Sequence, residues 1–249
     1  MSIELIAEIL VIAVCLAGGG ILKGATGAGA PILAVPALAA FFDVRFAVIV
    51  MLAPNLLTNA WQAWRFRSRL LPGRFLAPFL IGGVGGAALG TLALKSLDAG
   101  ILSLGVAIAV AVYVVLRLAR PHWQLPMRTG EWLSAPAGAA AGILQGAAGL
   151  SAPISITFLN ALRLPRETFI ATISTLFVTF SLIQIGVAEA TGLIHPGEVF
   201  YSLFALLPVS LAMPLGARLA GRMSPQALDR VILAILAVLA IKLLFDALA

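Results

Sequence analysis

The chain alternates between long apolar stretches and short polar or charged segments. Several apolar stretches hold about twenty residues without a charge, the length that a helix needs to cross ~30 Å of hydrocarbon. The pattern predicts ten helical elements, five in each half of the chain. They are 3–22, 30–42, 46–64, 75–94 and 99–118 in the first half, and 132–145, 152–163, 167–187, 199–216 and 228–247 in the second. The expected fold class is therefore an all-α polytopic membrane protein.

A glycine-rich break interrupts this apolar sequence at two corresponding places. The first is Gly24-Ala-Thr-Gly-Ala-Gly-Ala-Pro31, and a similar motif, Gly146-Ala-Ala-Gly-Leu-Ser-Ala-Pro153, begins 122 positions later. At the same offset Asn59 matches Ser181 and Gln62 matches Gln184. Such self-similarity indicates one structural unit that occurs twice. We expect an N-terminal repeat over 1–119, a cytoplasmic linker over 120–130 and a C-terminal repeat over 131–249.

The distribution of charge predicts that the two repeats have opposite orientations. The loop after the third element carries Arg65, Arg67, Arg69 and Arg74 in the first half, but the corresponding loop of the second half has no Lys or Arg. The next loop reverses this pattern, with Arg218, Arg222 and Arg230 in the second half. Because Lys and Arg accumulate on the cytoplasmic side, corresponding loops are expected on opposite faces. Placing the first loop inside puts 12 of the 16 basic residues there, and both termini in the periplasm.

Opposite orientation requires an odd number of membrane crossings in each half. Five crossings satisfy this condition, and so do three crossings plus a re-entrant hairpin around each glycine break. The second element is short for a full span at 1.5 Å per residue. We therefore expect inverted-topology repeats with short or broken helices, whose glycine tips reach toward the middle of the membrane.

Composition limits the classes of function. With 61% hydrophobic and 10% charged residues, the chain is too apolar for a soluble domain. The net charge of +6 is explained by arginines in short loops, so no nucleic-acid partner is expected. The expected surrounding partner is membrane lipid. The single cysteine excludes an internal disulfide. The sequence has no Walker motif, His/Cys cluster or nucleophile–base set, so we predict neither an enzyme nor a cofactor or metal.

The glycine breaks are the best candidates for a binding site. Glycines allow positive φ, and a proline suits the first turn of the helix that follows. The start of that helix presents unpaired N–H groups and a positive dipole end, which favour an anion. In an inverted pair, two such helix starts point at one place between the halves. The candidate substrate-binding residues of the breaks are Thr26, Gly27, Ala28, Gly29, Gly149 and Ser151.

Polar residues next to the breaks and on the third elements complete the candidate site. Lys23 precedes the first break and either balances the charge of an anion or extends to the membrane interface. Its repeat counterpart is Gln145. Asn55, Asn59 and Gln62 share one helical face, and Thr175 lies on the corresponding element of the second half. These groups either line a polar path or join helices by hydrogen bonds. Glycines 82–86 and Gly90 are expected only to pack helices closely.

The whole pattern resembles the sulfite exporter TauE/SafE family of membrane transporters over about residues 10–245. The resemblance rests on both breaks, on the Gly-Gly-x-x-Gly stretch at 82–86, and on Leu215-Gly-Ala-Arg-Leu-Ala220 with Ser224-Pro-x-x-Leu228. Ser151 stands where the family commonly has glycine. The resemblance implies transport of a small sulfur-containing anion, such as sulfite, sulfoacetate or another organosulfonate, or of another small organic anion.

The resemblance and the charge pattern together predict a secondary transporter or facilitator in the bacterial inner membrane, with export by alternating access. Each negative charge that leaves a negative cytoplasm gains roughly 2.3 kcal/mol per 100 mV, so export needs no coupling ion. Two alternative functions are an anion channel and an importer of an organic anion that is coupled to another ion. An intramembrane scaffold or enzyme is a more remote interpretation. The sequence specifies neither the substrate nor whether the protein is a monomer or a homodimer.

Overall fold

The computed structural model describes residues 3–119, 124–222 and 224–248, and these residues form helices and no strands. The first half contains α1 (Ile3–Thr26), α2 (Ala30–Ala39), α3 (Val44–Val50), α4 (Leu52–Arg65), α5 (Gly73–Ser96) and α6 (Ala99–Ala119). The second half contains α7 (Met127–Ala148), α8 (Ala152–Ala161), α9 (Arg166–Ala190), α10 (Pro196–Arg222) and α11 (Pro225–Leu248). The predicted all-α class is confirmed.

Six stretches are long and apolar enough to cross a membrane among the residues described. They are Ala7–Thr26, Val44–Arg65, Gly73–Ser96, Ala99–Ala119, Arg166–Ala190 and Pro196–Arg222. Each glycine break joins a long helix, α1 or α7, to a helix of 10 residues, α2 or α8. At 1.5 Å per residue such a helix is about 15 Å long, roughly half of the hydrocarbon thickness. The breaks are therefore followed by short helices, as expected.

Several boundaries differ from the prediction, and three of the differences have a structural consequence. The third element of the first half is divided at Met51, because Pro54 has no N–H to bond the carbonyl of Val50 one turn earlier. Helix α1 continues to Thr26, past the predicted end at residue 22. Helix α7 begins at Met127, so the end of the predicted linker is helical. Residues 120–123 of that linker and the extreme termini, 1–2 and 249, lie outside the described residues.

Glycine seams hold the first helix of each half against a helix of the other half. Helices α5 and α7 pack in parallel, with Gly82, Gly86 and Gly90 facing Gly138, Gly142 and Gly146. A Cβ atom added to Gly86 would lie 2.2 Å from the carbonyl oxygen of Ala139, so only glycine permits this approach. Helices α1 and α10 pack in the same way through Gly20, Gly24 and Gly216. The prediction that these glycines serve helix packing is confirmed for Gly82, Gly83, Gly86 and Gly90, whereas Gly85 has no neighbour within 4 Å of an added Cβ.

Helices α4 and α9, the third elements of the two halves, run antiparallel. Asn55 near the start of α4 bonds Ser181 late in α9 (3.0 Å), whereas Gln62 near the end of α4 bonds Ser174 early in α9 (3.2 Å). Antiparallel packing of counterparts is what opposite orientation requires. It supports the inverted-repeat interpretation, which stays a prediction.

Ion pairs gather several basic segments on one face of the molecule, which we call the arginine-rich face. Arg69 pairs with Glu167 at 3.2 Å, and Arg74 pairs with Glu131 at 2.6 Å. These contacts bring the α4–α5 loop and the start of α5 beside the starts of α9 and α7. At the opposite face, the Arg45 side chain donates to the carbonyl of Leu94 at 2.9 Å, which joins the start of α3 to the end of α5.

Candidate functional site

The first break is a tight turn that uses most of its own polar groups. Gly27 and Gly29 have φ of 82° and 88°, which side chains rarely adopt. The Gly27 N–H donates to the carbonyl of Lys23 at 2.7 Å. The Thr26 hydroxyl bonds the carbonyls of Leu22 and Ala28, and it accepts from the Ala28 N–H at 3.3 Å. This hydroxyl, predicted to contact substrate, therefore closes the turn.

Lys23 lies at the head of a chain of buried side-chain hydrogen bonds. Its side chain is 1% exposed, and its Nζ donates to Asn59 Oδ1 at 2.7 Å. Asn59 Nδ2 donates to the carbonyl and Oδ1 oxygens of Asn55 at 2.7 and 2.8 Å, and Asn55 Nδ2 donates to the Ser181 hydroxyl. Lys23 thus points into the protein and does not extend to a membrane interface. Asn55 and Asn59 join helices and position the lysine.

A cavity of about 810 Å³ opens between the first break, α4, the start of α9 and α10. Three of its lining side chains are cationic, namely Lys23, Arg65 and Arg166. None of its lining residues is an Asp or Glu. Gly27, Thr58, Gln62 and Ser210 add polar surface, and Trp61 lies near the arginines with the Arg65 guanidinium 5.5 Å from its ring centre. Because Arg65 and Arg166 belong to the arginine-rich face, the cavity reaches from that face to Lys23.

The second break has a similar backbone but different surroundings. Gly149 has φ of 64° and ends α7, and Ser151 precedes α8. Gln145 Oε1 accepts from the Ser151 hydroxyl at 2.8 Å and from its N–H at 3.4 Å. Gln145 Nε2 donates to Gln184 Oε1 at 2.9 Å, and Gln184 Nε2 donates back to the carbonyl of Gln145. All three side chains are buried, so this break is closed by its own hydrogen bonds.

The two breaks are close together, but no open cavity lies between them. Gly29 faces Ile156 of α8, and Gly149 faces Val35 of α2 and Val48 of α3. The space where they meet is too small for a water molecule. It is lined by Pro31, Val48, Met51, Leu52, Asn55, Gln145, Gly149 and Gln184. The expected single site between two helix starts is therefore not formed in this conformation, and only the first break faces an open cavity.

Other predicted residues are distributed less favourably for binding. Thr175 is half-buried, bonds the carbonyl of Ala171 at 2.9 Å and does not line the large cavity. Ala28 and Gly29 are buried and do not line the large cavity. Sequence reasoning missed Arg65 and Arg166, which it assigned only to loop charge. Arg65 follows Gln62 by three residues and so shares its helical face, a spacing that could have identified it.

Two further observations bear on chemistry. Within the described residues, no group of three or more His, Cys, Asp or Glu could hold a metal ion. The hydroxyls of Ser155 and Thr172 are buried and have no hydrogen-bond partner among the described residues.

The fold and the cavity define a polytopic helical membrane protein with a deep, cation-lined cavity. The family model for the sulfite exporter TauE/SafE matches residues 10–243, and the chain belongs to this family of membrane transporters. The resemblance inferred from the motifs is confirmed. Comparisons with curated proteins and with solved structures gave no significant match.

Proposed function

We propose that the protein exports a small sulfur-containing anion, such as sulfite, sulfoacetate or another organosulfonate, across the bacterial inner membrane. The observation that carries this proposal is the cavity that ends at Lys23. It has three cationic side chains and no carboxylate among its lining residues. Such a cavity raises the local concentration of anions and repels cations.

Lys23 is well suited to hold an oxyanion at the end of the cavity. An ammonium group has three N–H donors, and Asn59 is the single hydrogen-bond acceptor of this group among the described residues. Two donors therefore stay free for the oxygens of a sulfite or sulfonate group. Gln62 and Thr58 also line the cavity and offer further polar contacts.

The direction of transport follows from the arginine-rich face. If Lys and Arg mark the cytoplasmic side, the cavity opens to the cytoplasm and loads substrate there. The membrane potential then favours departure of the anion by roughly 2.3 kcal/mol per charge and 100 mV. Export thus proceeds without a coupling ion.

The closed second break supports alternating access between two inverted repeats, 1–119 and 131–249. In the first half, Lys23 and Gln62 border the open cavity. Their counterparts Gln145 and Gln184 border the closed space between the breaks. In inverted-repeat transporters the halves exchange conformations, which closes one side and opens the other. We propose that the second break opens toward the periplasm when the first closes.

Flux through proteoliposomes with a set membrane potential tests the proposal. Sulfite, sulfoacetate and acetate are compared for the wild type and for Lys23→Gln, which introduces the residue of the second break and can still bond Asn59. Losing a charge-assisted hydrogen bond costs about 1.5–3 kcal/mol, so flux should fall ~10- to 100-fold. Lys95→Gln is the matched control, because Lys95 bonds Thr191 near the end of α9 and does not line the cavity.

Other results of the flux assay would contradict parts of the proposal or indicate a different function. Equal flux in Lys23→Gln and the wild type removes the lysine from the mechanism. Equal flux of neutral solutes removes anion selectivity. Flux that does not saturate and shows no counterflow indicates a channel, and uptake that needs an ion gradient indicates a coupled importer.

A further inference from the structure

A second cavity with arginines lies on the arginine-rich face, beside the one that ends at Lys23. Its volume is about 480 Å³, and it is bounded by the end of α6, by α8 and by the α8–α9 turn. Arg117, Arg163 and Arg166 line it, together with Thr157 and Asn160. It adjoins a recess of about 190 Å³ that Arg117 and Asn160 also line. None of the residues that line the cavity or the recess is an Asp or Glu.

The backbone at Arg163 is a second, independent feature of this cavity. Arg163 has φ of 52°, and no other non-glycine residue among those described has a positive φ. The left-handed conformation costs an L-residue about 1–2 kcal/mol, which glycine avoids. The chain nevertheless carries an arginine here, at the point where the turn directs its side chain to the cavity. Strained positions of this kind concentrate at functional sites.

The two cavities are neighbours that share one residue. Arg166 lines both, and the turn at Thr26 and Gly27 lies between them, since Thr26 lines the second cavity and Gly27 the first. The side-chain amide of Asn160 has no hydrogen-bond partner among the described residues and can donate to a ligand. The second cavity therefore offers the guanidinium of Arg163 and the amide of Asn160 as donors that the cavity ending at Lys23 does not share.

We propose that this second cavity is a binding site for an oxyanion group. Arg163 and Asn160 contact the group, and Arg166 is shared with the cavity that ends at Lys23. Guanidinium groups match the oxygens of sulfonate, sulfate and phosphate by paired N–H donors. The group is carried either by a free small anion or by the head group of an anionic lipid. The proposal holds whichever substrate the protein transports.

Sulfate binding to the full chain in nanodiscs of neutral phosphatidylcholine tests the site. Calorimetric titrations use protein that carries Lys23→Gln, which lowers the affinity for sulfate in the cavity that ends at Lys23. Adding Arg163→Gln should weaken the remaining sulfate affinity at least about tenfold, as expected for a lost charge-assisted hydrogen bond. The matched control, Arg128→Gln, removes an exposed arginine at the start of α7 that lines neither cavity. It should leave the affinity within about twofold, as for other surface substitutions.

A second arm distinguishes the two sources of the oxyanion. The titrations are repeated in nanodiscs that contain phosphatidylglycerol, and lipid retained on the protein is measured by native mass spectrometry. Phosphatidylglycerol that blocks sulfate binding and is lost from Arg163→Gln identifies a lipid head group. Sulfate binding that is unchanged by phosphatidylglycerol identifies a free anion. Equal sulfate affinity and equal lipid retention in Arg163→Gln and Arg128→Gln overturn the proposal, and neither readout depends on transport.

Discussion

The two glycine breaks have similar sequences and opposite surroundings. The first borders a cavity of about 810 Å³ through Lys23 and Gly27. The second is buried against Val35 and Val48, in a space without room for water. The contrast shows that the glycine motif alone does not define a site, because the side chain that precedes it decides what the turn can bind.

The difference between Lys23 and Gln145 explains much of this contrast. A glutamine has both donors and an acceptor, whereas a lysine has donors alone. Gln145 therefore accepts hydrogen bonds from the N–H and hydroxyl of Ser151 and closes its own turn. Lys23 cannot do so, and it bonds Asn59 on α4 instead. The amides of Gly29 and Ala30 are left without an acceptor among the described residues.

The strongest test of the comparison places a lysine in the second break. Gln145→Lys would bury a charge with no acid nearby and no open cavity beside it. Breaking a buried polar arrangement in this way costs about 3–5 kcal/mol. We expect loss of most folded protein, measured as the melting temperature and monodispersity of the purified protein in detergent.

Gln145→Met is the control for that experiment. It removes the same hydrogen bonds without adding a charge, so its loss of stability should be clearly smaller. If Gln145→Lys is as stable as Gln145→Met, the second break is not sealed in the way described.

The next test concerns the amide that holds the residue before each break. Asn59→Ala removes the acceptor of Lys23, and Gln184→Ala removes the partner of Gln145. Each change leaves a buried polar group unpaired and should lower the free energy of unfolding by about 1–3 kcal/mol. Only Asn59→Ala should also raise the KM for anion at the arginine-rich face, because Lys23 is no longer held at the end of the cavity.

Flux assays at several anion concentrations separate these effects. An equal change of KM in Asn59→Ala and Gln184→Ala would show that both breaks serve loading from the same side.

Much of the fold could be predicted from the sequence because lipid imposes simple rules on it. Apolar stretches predicted the helices, and the glycines at 82–86 and 90 predicted close helix packing, although not that α7 is the partner of α5. The split at Met51 was missed, although Pro54 carries the physical reason for it. The start of α7 was placed too late, since Arg128 and Glu131 are polar positions outside the apolar pattern that nonetheless belong to the helix.

The site could be predicted only in part. Lys23, Gly27 and Gln62 do line one cavity. The use of Thr26 inside its own turn and the closure of the second break depend on side-chain geometry that spacing does not contain. The repeat suggested one site shared by two equivalent helix starts, but in this conformation only the first break borders an open cavity. Sequence alone does not distinguish the two breaks in this respect.

The smallest expected effect comes from three glycine-to-alanine substitutions, which separate the cost of backbone strain from the effect of a side chain in the cavity wall. Gly27→Ala, Gly149→Ala and Gly192→Ala each place a side chain at positive φ, which costs about 1–2 kcal/mol. A Cβ at Gly27 would lie 3.0 Å from Ile170 Cγ1, in the wall of the cavity, whereas at Gly149 the nearest atom is 3.4 Å away and at Gly192 nothing lies within 4 Å. All three variants should lose stability, measured by thermal unfolding, and Gly27→Ala should lose at least as much as the other two. Only Gly27→Ala should also lower flux several-fold from the arginine-rich face, because Ile170 must move in the wall that the anion passes. A loss of initial loading rate in Gly149→Ala as large as in Gly27→Ala would mean that both breaks contact the anion in the same state, and the contrast between an open and a closed break would not hold.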